Sequence, residues 1–266
     1  MLSSVFGKNL YDMRRGLMGW SISILLLNLW IVTFFPAIRE SASALDQYLQ
    51  NLPPAFLALM GDTASFTTIE GYLSVELFAF FWPILTLAFA IAAGAGTIGG
   101  EEESGTLDLL LSHPIPRWRL LLEKFAAVMM FSGIAIGAGL VGLILGTLIV
   151  DEAIDIGNLG AAVLSIWLLT LLFATLSLAL TGVGMRRGAA AGIGAGVAAI
   201  TFLINTLGPI ADLPESLRRV SPWYYYDGGT ALSEGLSLGN TALLAGLVIA
   251  FLAVAIFGFE RRDLAV

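Results

Sequence analysis

The chain has 266 residues, of which 58% are hydrophobic and only 12% charged, with a mean hydropathy of +0.88. That charged share is about half of what a soluble domain carries, so an ordinary water-soluble fold is excluded and lipid must be the solvent. A net charge of −7 without a basic stripe excludes nucleic acid as a partner, and the absence of cysteine excludes disulfides and thiolate metal sites.

The length predicts one all-α, polytopic membrane domain over 1–266, with no room for a separate catalytic domain. At the N-terminus, 1–15 reads as an interfacial helix. Leu2, Val5, Phe6, Leu10 and Met13 share one face, while Lys8, Asp12 and Arg14 point elsewhere. The first apolar run is too long for a cleaved signal, so it is expected to be retained.

Six spans follow, each near the roughly 20 residues that cross about 30 Å of hydrocarbon. They are Leu17–Phe35, Tyr72–Ile98, Phe125–Val150, Leu159–Met185, Gly188–Leu207 and Thr241–Phe259. Pro36 ends the first, and Pro83 is expected to kink the second. Gly133 with Gly137, Gly142 with Gly146, and Gly188, Gly192 and Gly196 repeat at every fourth position, a pattern that lets helices pack closely in lipid.

Cations orient the bundle. With the N-terminus in the cytoplasm, the inner segments hold Lys8, Arg14, Arg15, Arg117, Arg119, Lys124, Arg186, Arg187, Arg261 and Arg262, ten of the 13 Lys and Arg. Positive charge in short loops stays inside, so both termini are expected to be cytoplasmic and the chain to lie in the cell membrane. Two longer outer segments, 36–71 and 208–240, are acidic. The first contains an amphipathic stretch, Ala44 to Met60, broken at Pro53-Pro54. The second contains four adjacent aromatics, Trp223 to Tyr226, which suit an interfacial belt, a cap on the bundle or a short re-entrant piece.

No catalytic or metal constellation is present in the sequence. The one histidine, His113, lies in a polar loop, and there is no HExxH or GxSxG. A phosphate-binding P-loop needs lysine followed by Ser or Thr. Here Lys8 precedes Asn9 and Lys124 precedes Phe125, so no cofactor is expected on this chain. Glu76 is the ionisable residue inside a span and is a functional candidate by position.

The polar island 99–124, GGEEESGTLDLLLSHPIPRWRLLLEK, carries the strongest signal. Glu101, Glu102 and Glu103 are expected to start a helix, where their charge meets the positive end of the dipole. Ser104, Gly105 and Thr106 turn the chain. Leu107, Leu109, Leu110 and Leu111 form an apolar patch at an exposed tip, Pro114 stops the element, and Pro116 opens the next helix before Arg117, Trp118 and Arg119. Such an elbow suits a cleft on a soluble partner.

The run from Glu102 through Gly105, Thr106, Leu107, Leu109 to Leu111, Ser112, Pro114 and Arg117 to Lys124 resembles the loop between the second and third helices of ABC-2 type permeases, the six-helix membrane subunits of ABC exporters. The resemblance covers the layout of nearly the whole chain. Pro116 departs from it, standing where the family often has a capping Ser or Thr. The resemblance implies two paired permease chains, a homodimer, each resting on a cytoplasmic ATPase subunit that binds ATP and Mg. It makes the loop a coupling helix, with Glu101 to Glu103 as hinge or polar relay and Leu107 to Arg117 as contact surface. The substrate path is then expected at the dimer axis along the second and fifth helices, with Glu76, Phe78, Phe81, Trp82 and Phe89 as candidate lining. A membrane scaffold or sensor that recruits an ATPase without transporting is the alternative reading.

Overall fold

The computed structural model describes residues 5–41, 66–107, 110 and 115–262. These residues contain no strand and six helical stretches long and apolar enough to cross a membrane. The stretch Ala44 to Met60 lies outside the described residues.

Helix α1, Val5–Thr33, runs without a break from the stretch read as interfacial into the first span. Its 29 residues extend about 43 Å at 1.5 Å per residue, longer than the hydrocarbon layer, so its first turns protrude. A short α2, Phe35–Glu40, carries Pro36 in its first turn, where the missing N–H costs nothing.

The second span begins as α3, Ile69–Leu73, capped by Thr68, whose hydroxyl accepts from the Gly71 N–H at 3.2 Å. It continues as a π-helical segment, Ser74–Phe81, and then as α4, Trp82–Glu103. Pro83 falls in the first turn of α4. In a continuous α-helix its ring would strike the carbonyl four residues back, and the wider π turn opens that space.

The remaining spans are α5, Arg117–Val150, α6, Ile156–Gly182, and α7, Arg187–Leu207. Asp151 stops α5 in the left-handed conformation, φ 56°, a position short polar side chains tolerate. Asp155 caps α6 by accepting from the Asn158 N–H at 2.8 Å. Beyond α7 come α8, Glu215–Arg218, a 3₁₀ turn over Pro222–Tyr225, α9, Ala231–Glu234, and the last span α10, Leu238–Arg261.

Packing is uneven. α6 is central, with 67% of its membrane window buried between α4 and α10, whereas α7 buries only 17%. α1 packs along α5 through glycine. A Cβ on Gly142 would lie 2.2 Å from the Leu25 carbonyl oxygen, and one on Gly146 would lie 2.6 Å from Val32 Cβ. The pair Gly142 and Gly146 is therefore a close-approach ridge, as its spacing suggests. Gly188, Gly192 and Gly196 are different: nothing lies within 4 Å of a Cβ at any of them, so this ridge packs against nothing within the described chain.

Gly142→Val should lower stability by about 2 kcal/mol, because a backbone oxygen cannot move aside as a side chain can. Thermal unfolding in detergent checks this, with Gly137→Val, where a Cβ meets nothing within 4 Å, as the neutral comparison.

Candidate functional site

The polar elbow grows from the end of the bundle that carries most cations. Here α4 ends, α5 begins, and the termini of α1 and α10 converge. Glu101 to Glu103 do not start a helix; they are the last residues of α4, next to the negative end of its dipole. That placement is unfavourable unless cations answer it, and cations do. Lys124 of α5 is fully buried, and its Nζ donates to the Thr97 carbonyl at 2.7 Å and lies 2.5 Å from Glu101 Oε2. Lys8 of α1 approaches the other Glu101 oxygen at 3.7 Å. One carboxylate thus joins three spans.

Neighbouring contacts close the junction. Arg262 pairs with Glu102. Arg117 donates to the Phe259 carbonyl at 3.3 Å and to the Arg262 carbonyl at 2.6 Å, satisfying acceptors at the end of α10. The Phe6 N–H, one of the free donors at the start of α1, bonds Glu123 Oε2 at 3.1 Å. After α4 the chain turns through Gly105 at φ 67°, and the Thr106 N–H returns to the Glu101 carbonyl at 2.9 Å.

Leu107 is not at an exposed tip. It is buried with Val5, Ile98, Leu120, Leu178 and Phe259, and Leu110 and Ile115 pack partly against the same cluster. An apolar side chain this close to the bundle gains more from covering the helix ends than from facing water. Pro116 occupies the N-cap position of α5 with no side-chain cap, and Trp118, two residues on, is exposed. Leu109, Leu111, Ser112, His113 and Pro114 lie outside the described residues.

Beside the junction, a cavity of about 520 Å³ opens between α1, α4 and the start of α7. Asn9, Asp12, Glu101 and Arg187 stand at its polar part, and Trp20, Phe89 and Phe131 form its apolar floor. The three rings touch in sequence, with centroids 5.5 Å and 5.4 Å apart.

Six spans and a polar elbow anchored to the bundle describe a polytopic membrane protein. Residues 3–264 match the ABC-2 family transporter protein profile. The chain belongs to the ABC-2 transporter family. It is 33% identical over 205 residues to the probable ABC transporter permease protein NosY of Pseudomonas aeruginosa, covering 73% of each chain. It is 31% identical over 178 residues to the protein of the same name from Stutzerimonas stutzeri, covering 62% of each. It is also 30% identical over 210 residues to the uncharacterised protein YhcI of Bacillus subtilis, covering 68% of this chain and 66% of that one. These likenesses make the chain an ABC transporter membrane subunit and a multi-pass membrane protein.

In this ABC-2 protein the candidate path residues do not form one wall. Phe78 and Trp82 are fully buried core, 5.1 Å apart by ring centroid. Phe89 belongs to the floor of the cavity at the basic end, Glu76 is half-buried, and Phe81 is exposed. A separate apolar cavity of about 290 Å³ lies between α4 and α7 toward the acidic end, lined in part by Phe80, Phe202 and Trp223.

The aromatic segment between α7 and α10 caps the bundle. Trp223 is buried and donates through Nε1 to the Ala198 carbonyl at 3.1 Å, and Tyr226 donates to the Phe78 carbonyl at 2.9 Å. Ser221 donates to the Thr201 carbonyl at 2.8 Å, and Ser74 to the Gly229 carbonyl at 2.9 Å. Asn240 donates to Asp227 Oδ1 at 2.7 Å; burial pushes that carboxyl above the usual range, while the Asn240 bond pulls it back.

Sequence reasoning passed over Lys124, Lys8 and Arg262 as site residues. Lys124 had one available signal: it is a single cation between the apolar runs Leu120–Leu122 and Phe125–Val128.

Lys124→Met should destabilise the protein by about 3–5 kcal/mol, since it strands a partly buried carboxylate. The double variant Lys124→Met with Glu101→Gln should recover most of that loss. Thermal unfolding of the single and double variants, combined as a mutant cycle, checks the coupling.

Proposed function

We propose that this chain is the permease subunit of an ATP-driven ABC exporter, coupling ATP hydrolysis on a separate cytoplasmic ATPase to movement of a substrate across the cell membrane. The observation that carries this reading is the anchorage of the elbow. Force applied to 99–124 reaches α1, α4 and α5 through Glu101 and Lys124, and reaches α10 through Glu102, Arg117 and Arg262. Leu107 and Leu110 fasten the elbow from beneath, leaving Glu103 and Trp118 on its outer surface.

ATP and Mg belong to the partner in this reading, because neither lysine has P-loop context. The basic end faces the cytoplasm, following the distribution of cations in short segments. Two copies pair as a homodimer across α7 and the outer half of α4. The open glycine ridge of α7 and the exposed Phe80, Phe81 and Ile200 leave that face unfilled within one chain. The substrate path then follows the α4–α7 side, with Phe81 and Glu76 nearest to it and with Phe78, Trp82 and Phe89 supporting its wall.

In a reconstituted complex, Glu103→Lys with Trp118→Asp, both on the outer surface of the elbow, should return ATP turnover to the level of the ATPase alone while the permease stays folded. Undiminished stimulation and co-purification would reject docking on the elbow. Sidedness has its own measurement. The cysteine-free chain allows Val220→Cys, at an exposed position, to be labelled by an impermeant thiol reagent on intact cells. Labelling is expected from outside, and protection there reverses the assigned topology.

A further inference from the structure

The cavity at the basic end is polar at one part, aromatic at the other, and apart from Glu101 its polar side chains lack close partners. The side chains of Asp12 and Arg187 make no hydrogen bond or close ion pair with a described residue, although both line it; Lys124 acts on Asp12 only at longer range. The Asn9 side-chain Nδ2 is buried without an acceptor. A buried donor in that state costs about 1–3 kcal/mol, so a site that supplies an acceptor is favoured. Space for the arginine is built into α4: a Cβ on Gly96 would lie 3.7 Å from Arg187 Nε, and one on Gly100 3.8 Å from Nη1. The guanidinium therefore rests along a glycine track at the cavity.

These groups specify a ligand. Arg187 suits an anion and the Asn9 amide lacks an acceptor, and a guanidinium matches phosphate oxygens in geometry. Asp12, with no close partner, suits a cation that can donate hydrogen bonds, which a primary ammonium does and a quaternary one does not. The floor of Trp20, Phe89 and Phe131 needs an apolar body. We infer that this cavity binds an amphiphile with a phosphate–primary amine zwitterionic head, of the phosphatidylethanolamine type, from the leaflet at the basic end. The phosphate meets Arg187 and Asn9, the ammonium meets Asp12, and the first part of an acyl chain covers the rings. Phosphatidylcholine lacks the donors for Asp12, and phosphatidylglycerol lacks the cation.

The site stands apart from the transporter reading, because occupancy requires neither an ATPase nor turnover. The full chain, in nanodiscs of equal phosphatidylethanolamine, phosphatidylcholine and phosphatidylglycerol, is extracted and its retained lipid measured by native mass spectrometry. Phosphatidylethanolamine should be retained over each of the others by about fivefold, equivalent to roughly 1 kcal/mol. Asp12→Asn should abolish the preference over phosphatidylglycerol, and Arg187→Gln should lose retention of all three. Both side chains are exposed, so an unchanged thermal midpoint is expected and separates lost binding from lost folding. Gly96→Leu, which fills the cavity from α4, should also empty it. Retention in proportion to supply, or variants that retain lipid like the parent, would overturn the site. Displacement of the lipid by free phosphoethanolamine at millimolar concentration would overturn the acyl part, since the head alone would then suffice.

Discussion

A lysine with no exposed surface sits where three membrane helices meet, and the arrangement of the basic end follows from it. Removing an ammonium from water costs several kcal/mol, so Lys124 is tolerable only with close partners. It has the Thr97 carbonyl and the Glu101 carboxylate, both contributed by α4. Glu101 in turn stands at the wrong end of its own helix dipole, as do Glu102 and Glu103. Each charge is unfavourable alone and acceptable together. The pairing fixes the end of α4 against α5, and with it the point from which the elbow departs. Loss of the lysine therefore affects geometry as well as energy: α4 would retain an acidic C-terminus with Lys8 and Arg262 as its remaining answers, both partly exposed.

The two ends of the bundle are held by different chemistry. The basic end uses ion pairs between long side chains, which can lengthen or re-pair as helices shift. The acidic end uses hydroxyl and indole N–H donors bonded directly to backbone carbonyls: Trp223 to Ala198, Ser221 to Thr201, Tyr226 to Phe78 and Ser74 to Gly229. Such bonds have little reach, so this end moves as a unit or not at all. Between them, α1 and α5 are locked by glycine contact at Gly142 and Gly146, while α7 is held along a narrow buried line through Ala190, Gly194 and Ala198. In the proposed coupling, motion delivered at the elbow would be borne most easily by α4 and α7, the pair enclosing the apolar cavity near Phe80 and Phe202.

Local chemistry made much of this legible. Six apolar runs, the cations at one end and the turn at Ser104 to Thr106 are written in adjacent residues, and length, charge count and backbone preference are enough to read them. Legibility ended where a residue's meaning depends on a distant partner. A run of three acids before a Ser-Gly-Thr turn reads equally as the start of a helix after the turn or the end of one before it. Dipole electrostatics favours the first, and Lys124, 23 residues away from Glu101, decides for the second. Leu107 likewise looked like a docking surface until Val5 and Phe259, from opposite ends of the sequence, proved to cover it. Phe78 and Trp82 follow the same rule: an aromatic in a membrane span lines a path or fills a core according to what packs beside it.

The glycines give the sharpest form of that lesson. Gly139, Gly142 and Gly146 meet α1, where Ile24, Leu25 and Val32 fill the space that a side chain would need. Gly188, Gly192 and Gly196 share the same spacing and meet nothing among the described residues. A small-residue ridge thus permits close approach without supplying the partner, because lipid gives helices little reason to associate except fit. Gly194, on the buried side of α7, shows the contrast within one helix: a Cβ there would lie 2.4 Å from the Ser177 hydroxyl oxygen. α7 therefore carries glycine on two faces, one consumed inside the chain and one left open toward the membrane. In the proposed homodimer, this ridge on the least buried span is the surface along which a second copy would approach.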